Sequence, residues 1–135
     1  MTLNLETAKK VIEAAKKKAA DMDTKMDIAV VDRGGNLVAF ERMDGAWIGS
    51  IQIAIDKAWT ANAFDMPTIK LREVSGPDDE NICFGIHTTN DARVVIFGGG
   101  VPLEKDGEII GGIGVSGGWA QEQDHPVAEA GAEAV

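Results

Sequence analysis

The first twenty residues carry apolar positions at helical spacing. Between Leu5 and Ala19 the apolar side chains recur every three or four residues, so they share one side of an α-helix. Asn4 stands directly before this pattern and is a residue type that caps helix N-termini. The pattern predicts an amphipathic helix that begins after Asn4. Its apolar positions are Leu5, Ala8, Val11, Ile12, Ala15 and Ala19.

Two runs of β character follow, separated by a polar turn. Residues 26–31 and 36–41 are rich in apolar side chains, and residues 32–35 between them read Asp-Arg-Gly-Gly. Short apolar runs on either side of a Gly-Gly turn are typical of a β-hairpin. We therefore predict two antiparallel strands in this part of the chain.

A second helical pattern covers residues 47–64. Asp44 is a candidate N-cap, and Pro67 marks the end of the helix because proline cannot continue it. The polar residues 68–81 predict an irregular segment with at most a short turn of helix. The side chains expected near one face of the helix at 47–64 are Ile48, Ile51, Ile55, Trp59 and Asn62.

The second half of the chain returns to β patterns. Residues 93–97 predict one strand and residues 101–104 a second. A tight turn at residues 105–108 leads into residues 108–115, which are predicted to pair back as a third strand.

The Ala-rich residues 127–134 predict a terminal helix, with Asp124 as its cap and Pro126 in its first turn. Strands joined by short turns imply antiparallel pairing, and helices must cover the faces of the sheet. The predicted fold class is therefore α/β (α+β), an antiparallel sheet of about five strands flanked by helices. We expect it to form a single domain over residues 1–135.

The charge balance narrows the range of partners. A formal net charge of −9 describes an acidic surface, whereas nucleic-acid binding depends on clustered Lys and Arg, so we expect no nucleic-acid partner. No apolar run reaches the roughly 20 residues that cross a bilayer, and residues 1–6 lack the features of a signal peptide. We expect no membrane contact and a cytoplasmic location, with secretion left open for a precursor whose leader was removed. Cys83 is the single cysteine, so no internal disulfide can form.

Two glycine motifs resemble catalytic or nucleotide-binding signatures. Residues 112–117 match G-x-G-x-x-G, but only residues 118–135 follow, too few for the helix and acidic strand of a dinucleotide site. Residues 114–118 match G-x-S-x-G, but Asp124 and His125 lie too near in sequence to complete a hydrolase triad. We find no catalytic set and favour a protein that is not an enzyme.

The same glycine-dense corners are candidates for a ligand site. Glycines there serve turns with positive φ, or they expose backbone to a flat or anionic ligand. Arg42 is the cation best suited to clamp a carboxylate, and the competing interpretation is a salt bridge to Asp44 or Glu41. The candidate ligand-binding residues are Arg42, Asp44, Phe97, Gly98, Gly99, Gly100, Gly117 and Gly118.

Five segments carry a combined signature that no single one would: residues 29–46, 56–61, 97–103, 111–118 and 122–124. Together they resemble the GlcG/HbpS-like haem-binding-domain family, which also supplies the C-terminal domain of PduO-type corrinoid adenosyltransferases. The resemblance covers nearly the whole chain and implies an α-β-α sandwich, profilin-like or PAS-like, that assembles as a homo-oligomer. It further implies haem as the cofactor, with a corrinoid less favoured because adenosyltransferase chemistry belongs to another domain.

One departure from the family bears on haem ligation. Some haem-binding relatives use a His near the end of the first helix, and residues 16–22 here contain none. The remaining candidates are His87, His125, Met22 and Cys83. We favour His87 as the axial ligand because Phe84 and Ile86 beside it could wall a flat macrocycle.

The resulting hypothesis is a non-enzymatic, oligomeric protein that binds haem or another tetrapyrrole. The alternative is a protein that binds a small hydroxy acid or diol-pathway metabolite, or serves as an accessory protein of glycolate, propanediol or glycerol utilisation. A third hypothesis is a structural oligomer that stabilises a partner enzyme.

Overall fold

The computed structural model describes residues 2–77 and 80–135, and the elements below belong to those ranges. The helices are α1 (Leu5–Asp21), α2 (Gly49–Phe64), α3 (Thr68–Ser75) and α4 (His125–Ala132). The strands are β1 (Asp27–Asp32), β2 (Leu37–Arg42), β3 (Gly100–Lys105) and β4 (Glu108–Ser116). Short 3₁₀ turns occupy Ile86–Thr88 and Asn90–Ala92, and a π-helical turn at Ala120–Asp124 leads into α4.

The strands form one antiparallel sheet in the order β2-β1-β4-β3. Both predicted hairpins are present, and they meet where β1 pairs with β4. Helices α1 and α4 enclose the main core on one face of the sheet, and α2 packs on the other face. The α+β class with an antiparallel sheet between helices is therefore confirmed.

The prediction of about five strands is wrong, because residues 93–97 form no strand. The backbone of this segment bonds to side chains of other elements instead of to a neighbouring strand. The N–H of Val95 donates to the Thr60 hydroxyl at 3.1 Å, and just after the segment the N–H of Gly98 donates to Oε1 of Gln121 at 2.9 Å. The described residues therefore contain four strands, and β3 is an edge strand.

The first helix agrees with its pattern. The side chain of Asn4 accepts a hydrogen bond of 2.8 Å from the N–H of Thr7, as an N-cap does. The small and branched residues of the predicted stripe are fully buried against the sheet and α4, while Leu5 stays half exposed. The buried positions of α1 are Ala8, Val11, Ile12, Ala15 and Ala19.

The packed face of α2 differs from the prediction. Its fully buried contact with the sheet is made by Ala54 and Ala58. Of the predicted residues, Ile55 packs against this cluster and Asn62 is buried, whereas Ile48 is 77% exposed. Gly112 and Gly114 on β4 explain this difference. A Cβ at Gly114 would overlap the carbonyl oxygen of Ala54, so the helix backbone lies directly on the strand and only small side chains fit between them.

Three local predictions around the helices need correction. The N-cap of α2 is Ile48, with no side-chain bond, so Asp44 does not cap this helix. Asp124 occupies the N-cap position of α4 as predicted, but its side chain makes no capping bond, because its carboxylate is directed to Lys57. Residues 68–75 form the two-turn helix α3 rather than an irregular segment, and residues 78 and 79 of the predicted loop lie outside the described ranges.

None of the helices in residues 2–77 and 80–135 has the length and apolar content that crossing a lipid bilayer requires.

Candidate ligand site

Two cavities lie beside the N-terminal half of α2. The first, here the Trp47 cavity, has a volume of about 570 Å³. The second, here the His87 cavity, has a volume of about 560 Å³. Ile53 and Phe97 line both, so the two cavities adjoin. The Trp47 cavity is also lined by Trp47, Ile48, Ser50, Ser116, Gly117, Gly118 and Asp124. The His87 cavity is also lined by Asp56, Arg72, His87, Val94, Val95 and Ile96.

A buried ion pair lies beside the Trp47 cavity, which Asp124 lines. Nζ of Lys57 lies 2.9 Å from Oδ2 of Asp124, and the two side chains are 0% and 2% exposed. The same ammonium donates to the carbonyl oxygen of Val115 at 2.8 Å and lies 5.0 Å from the ring centroid of Phe97. The other carboxylate oxygen of Asp124 accepts from the N–H of Gly118 at 2.8 Å. This pair therefore ties α2, the end of β4 and the turn before α4 to one point.

Burial lowers the pKa of Lys57 below its ordinary 10.5, and the charge of Asp124 and its hydrogen bond oppose that shift. Desolvating an ammonium ion is costly, and the paired carboxylate offsets only part of that cost. Asp124 is therefore the neighbouring group that favours the charged form of Lys57.

The predicted glycine corners divide between two roles. Gly117 and Gly118 line the Trp47 cavity together with Phe97. Gly98, Gly99 and Gly100 line neither cavity. A Cβ at Gly99 would overlap the carbonyl oxygen of Val115, and one at Gly100 would overlap the carbonyl oxygen of Lys57. These last two glycines therefore allow the chain to approach the buried lysine closely.

Arg42 and Asp44 are exposed and line neither cavity. Arg42 ends β2 opposite Asp27 of β1. Glu41 pairs with Lys16 at 2.8 Å, so the proposed bond between Arg42 and Glu41 competes with an existing ion pair.

His87 is placed differently from the other candidate iron ligands. It lines the His87 cavity, and its ring meets that of Phe84 edge-on at 5.9 Å. Its Nδ1 is buried without a hydrogen-bond partner in the described residues, as is Nδ1 of His125, so the cavity is what distinguishes His87. His125 lies 3.4 Å from Glu129 on α4, and Met22 packs against the main core. His87 is therefore the candidate that an apolar ligand could reach.

Sequence reasoning missed Lys57 and Asp27. Lys57 is fully buried on α2, one residue before the packed Ala58. A lysine inside a run of small packed residues is a signal that could have indicated a buried charge. Asp27 is also fully buried, and both of its carboxylate oxygens are without a hydrogen-bond partner among the described residues. Its sequence neighbours gave no such signal, because a charged residue at a strand end is usually solvated.

The antiparallel sheet with helices on both faces, and two adjoining apolar cavities beside α2, define an α+β protein with a concave apolar surface. The chain belongs to the HbpS-like family. The family model, described as "Haem degrading protein HbpS-like", matches residues 3–133.

Individual relatives agree with this assignment. A 15.0 kDa protein of the dhaT-dhaS intergenic region of Citrobacter freundii is 39% identical, over 95% of this chain and 88% of its own length. The crystal structure of Klebsiella pneumoniae ORFY superposes with a TM-score of 0.93 at 35% identity, covering 99% and 90% of the two chains. The structure of a PduOC:heme complex superposes with a TM-score of 0.91 at 32% identity, covering 100% and 96%.

Proposed function

We propose that this protein binds haem or a related tetrapyrrole in the His87 cavity, without catalysing a reaction on it. The observation that carries the proposal is His87, whose unpartnered, buried Nδ1 belongs to a side chain that lines an apolar cavity. A relative that covers this whole chain was solved as a haem complex, which supports the same ligand.

The residues of the cavity suit the chemistry of haem. Val94, Val95, Ile96 and Phe97 provide an apolar wall for a flat macrocycle, and the imidazole of His87 is a nitrogen ligand for iron. Arg72 lines the same cavity and offers a guanidinium to a propionate group. Bound haem would supply an iron centre whose properties depend on that axial ligand. A corrinoid is bulkier and is the less favoured cofactor.

The proposal predicts that His87→Ala weakens haem binding, with the dissociation constant rising about tenfold or more because the axial bond is lost. His125→Ala is the matched control and should leave the titration unchanged. The measurement is the Soret band of the purified protein during addition of haem, with cobalamin as a second titrant. A shift in the His125 variant alone assigns the ligand to His125, and no shift in either variant contradicts axial histidine ligation.

We further propose a cytoplasmic homo-oligomer. Trp47 is 68% exposed and Trp119 is 75% exposed, and with Ile48 they form an apolar surface beside the Trp47 cavity. Exposed apolar patches of this kind are typical of subunit interfaces. We expect light scattering at micromolar concentration to give a mass that is a multiple of 14.3 kDa. A single species of 14.3 kDa contradicts this prediction.

A further inference from the structure

The lining of the Trp47 cavity has little charge. Among its described lining residues Asp124 is the charged side chain, and Lys57 neutralises its carboxylate. Trp47 and Phe97 provide aromatic surface, and aromatic rings attract organic cations through their negative faces. The ammonium of Lys57 already lies 5.0 Å from the Phe97 ring, so Trp47 is the ring left to attract a cationic group.

Asp27 lies next to this cavity, beneath its lining. Along β1, Ala29 and Val31 pack on α2, so Asp27, two residues before Ala29, projects to the same face. Across the β1–β4 pair, Asp27 stands opposite Ser116, which lines the Trp47 cavity, as does Ser50. Asp27 itself is fully buried and does not line the cavity, so Ser116 stands between its strand position and the cavity.

The carboxylate of Asp27 has no donor of its own. The residue is 0% exposed, and neither oxygen has a hydrogen-bond partner among the residues that the structure describes. Arg42 stands opposite on β2 and attracts the charge, but it does not supply a hydrogen bond. A buried acceptor without a donor costs about 1–3 kcal/mol, and more when it is charged. An incoming donor would recover that free energy.

We propose that the Trp47 cavity binds a small organic ammonium ion, whose N–H groups donate to Asp27 and to the Ser50 and Ser116 hydroxyls. Its hydrocarbon part lies against Trp47 and Phe97. Of the two donor classes, ammonium and alcohol, the ammonium fits better because it also balances the charge of Asp27. This site adjoins the His87 cavity through Ile53 and Phe97, but its polar groups are different residues, and His87 is not among them.

The burial of Asp27 allows a ligand-binding role of this residue to be distinguished from a structural role. Desolvation raises the pKa of Asp27 above its ordinary 3.8, and Arg42 partly opposes the shift. The folded state therefore binds this proton more tightly than the unfolded state, so stability falls as pH rises from 3.8 through the raised pKa. At neutral pH, Asp27→Asn should not lower the melting temperature. A residue kept for stability would behave in the opposite way.

The experiment is calorimetric titration of the full chain at pH 7 with n-butylammonium chloride. Equal concentrations of n-butanol and sodium butyrate serve as matched ligands without the charge or with the opposite one. We expect n-butylammonium to bind at least tenfold more tightly than n-butanol and butyrate not to bind. Equal binding of the alcohol and the amine would contradict the cationic class, and no binding of the amine would overturn the site.

Matched variants place the ligand in the cavity. Asp27→Asn should weaken n-butylammonium binding at least tenfold, while Asp44→Asn, an exposed change of equal charge, should leave it unaltered. Trp47→Ala should weaken binding several-fold, while Trp119→Ala should not, because Trp119 does not line the cavity. Unchanged binding in Asp27→Asn contradicts the proposal. His87→Ala should leave amine binding intact, so failure of haem binding and failure of this site are distinguishable.

Discussion

Replacing Asp124 with Ala is expected to lower the free energy of unfolding by about 3–5 kcal/mol, because it leaves the ammonium of Lys57 buried without its charged partner. The substitution also removes the acceptor of the Gly118 N–H, a bond that holds the turn lining the Trp47 cavity. Urea unfolding followed by tryptophan fluorescence measures the change.

A nearby substitution and the pH dependence test the cause. Glu122→Ala changes an exposed acid in the same π-helical turn and should cost less than about 0.5 kcal/mol. Burial already lowers the pKa of Lys57, and Asp124 is the group that raises it. Without Asp124 the neutral lysine is favoured further, so the difference between parent and variant should narrow as pH rises toward 10.5. A difference that is constant from pH 7 to 10 would contradict the buried-charge explanation.

Removing both charges gives a further check. The double variant Lys57→Met and Asp124→Leu replaces the pair by apolar side chains of similar size. Such replacements of buried ion pairs are often neutral or stabilising. We expect the double variant to be more stable than Asp124→Ala alone. A double variant as unstable as Asp124→Ala would show that the bonds to Val115 and Gly118, rather than the pairing of charges, carry the stability.

The parts of the fold that could be predicted from sequence are those whose signals are local. The period of α1 and its cap at Asn4 depend on residues close along the chain, as do the two hairpins, and all are present. The strand predicted at residues 93–97 is wrong because the amide of Val95 bonds to the side chain of Thr60, which is distant in sequence, rather than to a neighbouring strand.

The candidate site, like the fold, could be predicted from sequence only where the signal is local. Phe97, Gly117 and Gly118 were chosen for local reasons and do line a cavity. The Gly99 and Gly100 corner proved to face the buried lysine, since close packing between α2 and β3 determines its role. Asp27 owes its importance to the register of β1 with β4, a relation that no local pattern records.

Gly99→Val is expected to lower the free energy of unfolding by about 2–6 kcal/mol, which is comparable to the loss of the ion pair. Gly99 has φ +125°, where a β-branched residue is strained by about 1–3 kcal/mol. Its Cβ would also overlap the carbonyl oxygen of Val115 and lie 2.7 Å from Nζ of Lys57, and overpacking of this kind costs about 1–3 kcal/mol more.

Two glycine controls separate the causes. Gly107 has φ +79° and no neighbour within 4 Å, so Gly107→Ala measures the backbone strain alone. It should lower the free energy of unfolding by about 1–2 kcal/mol. Gly49→Ala has neither a positive φ nor a neighbour within 4 Å, and should be neutral or slightly stabilising at the start of α2. Thermal unfolding of the three variants gives the comparison. A melting temperature of Gly99→Val no lower than that of Gly107→Ala would mean that the contact with Val115 and Lys57 adds no loss of stability. Close packing around the buried ammonium would then not be the reason for glycine at position 99.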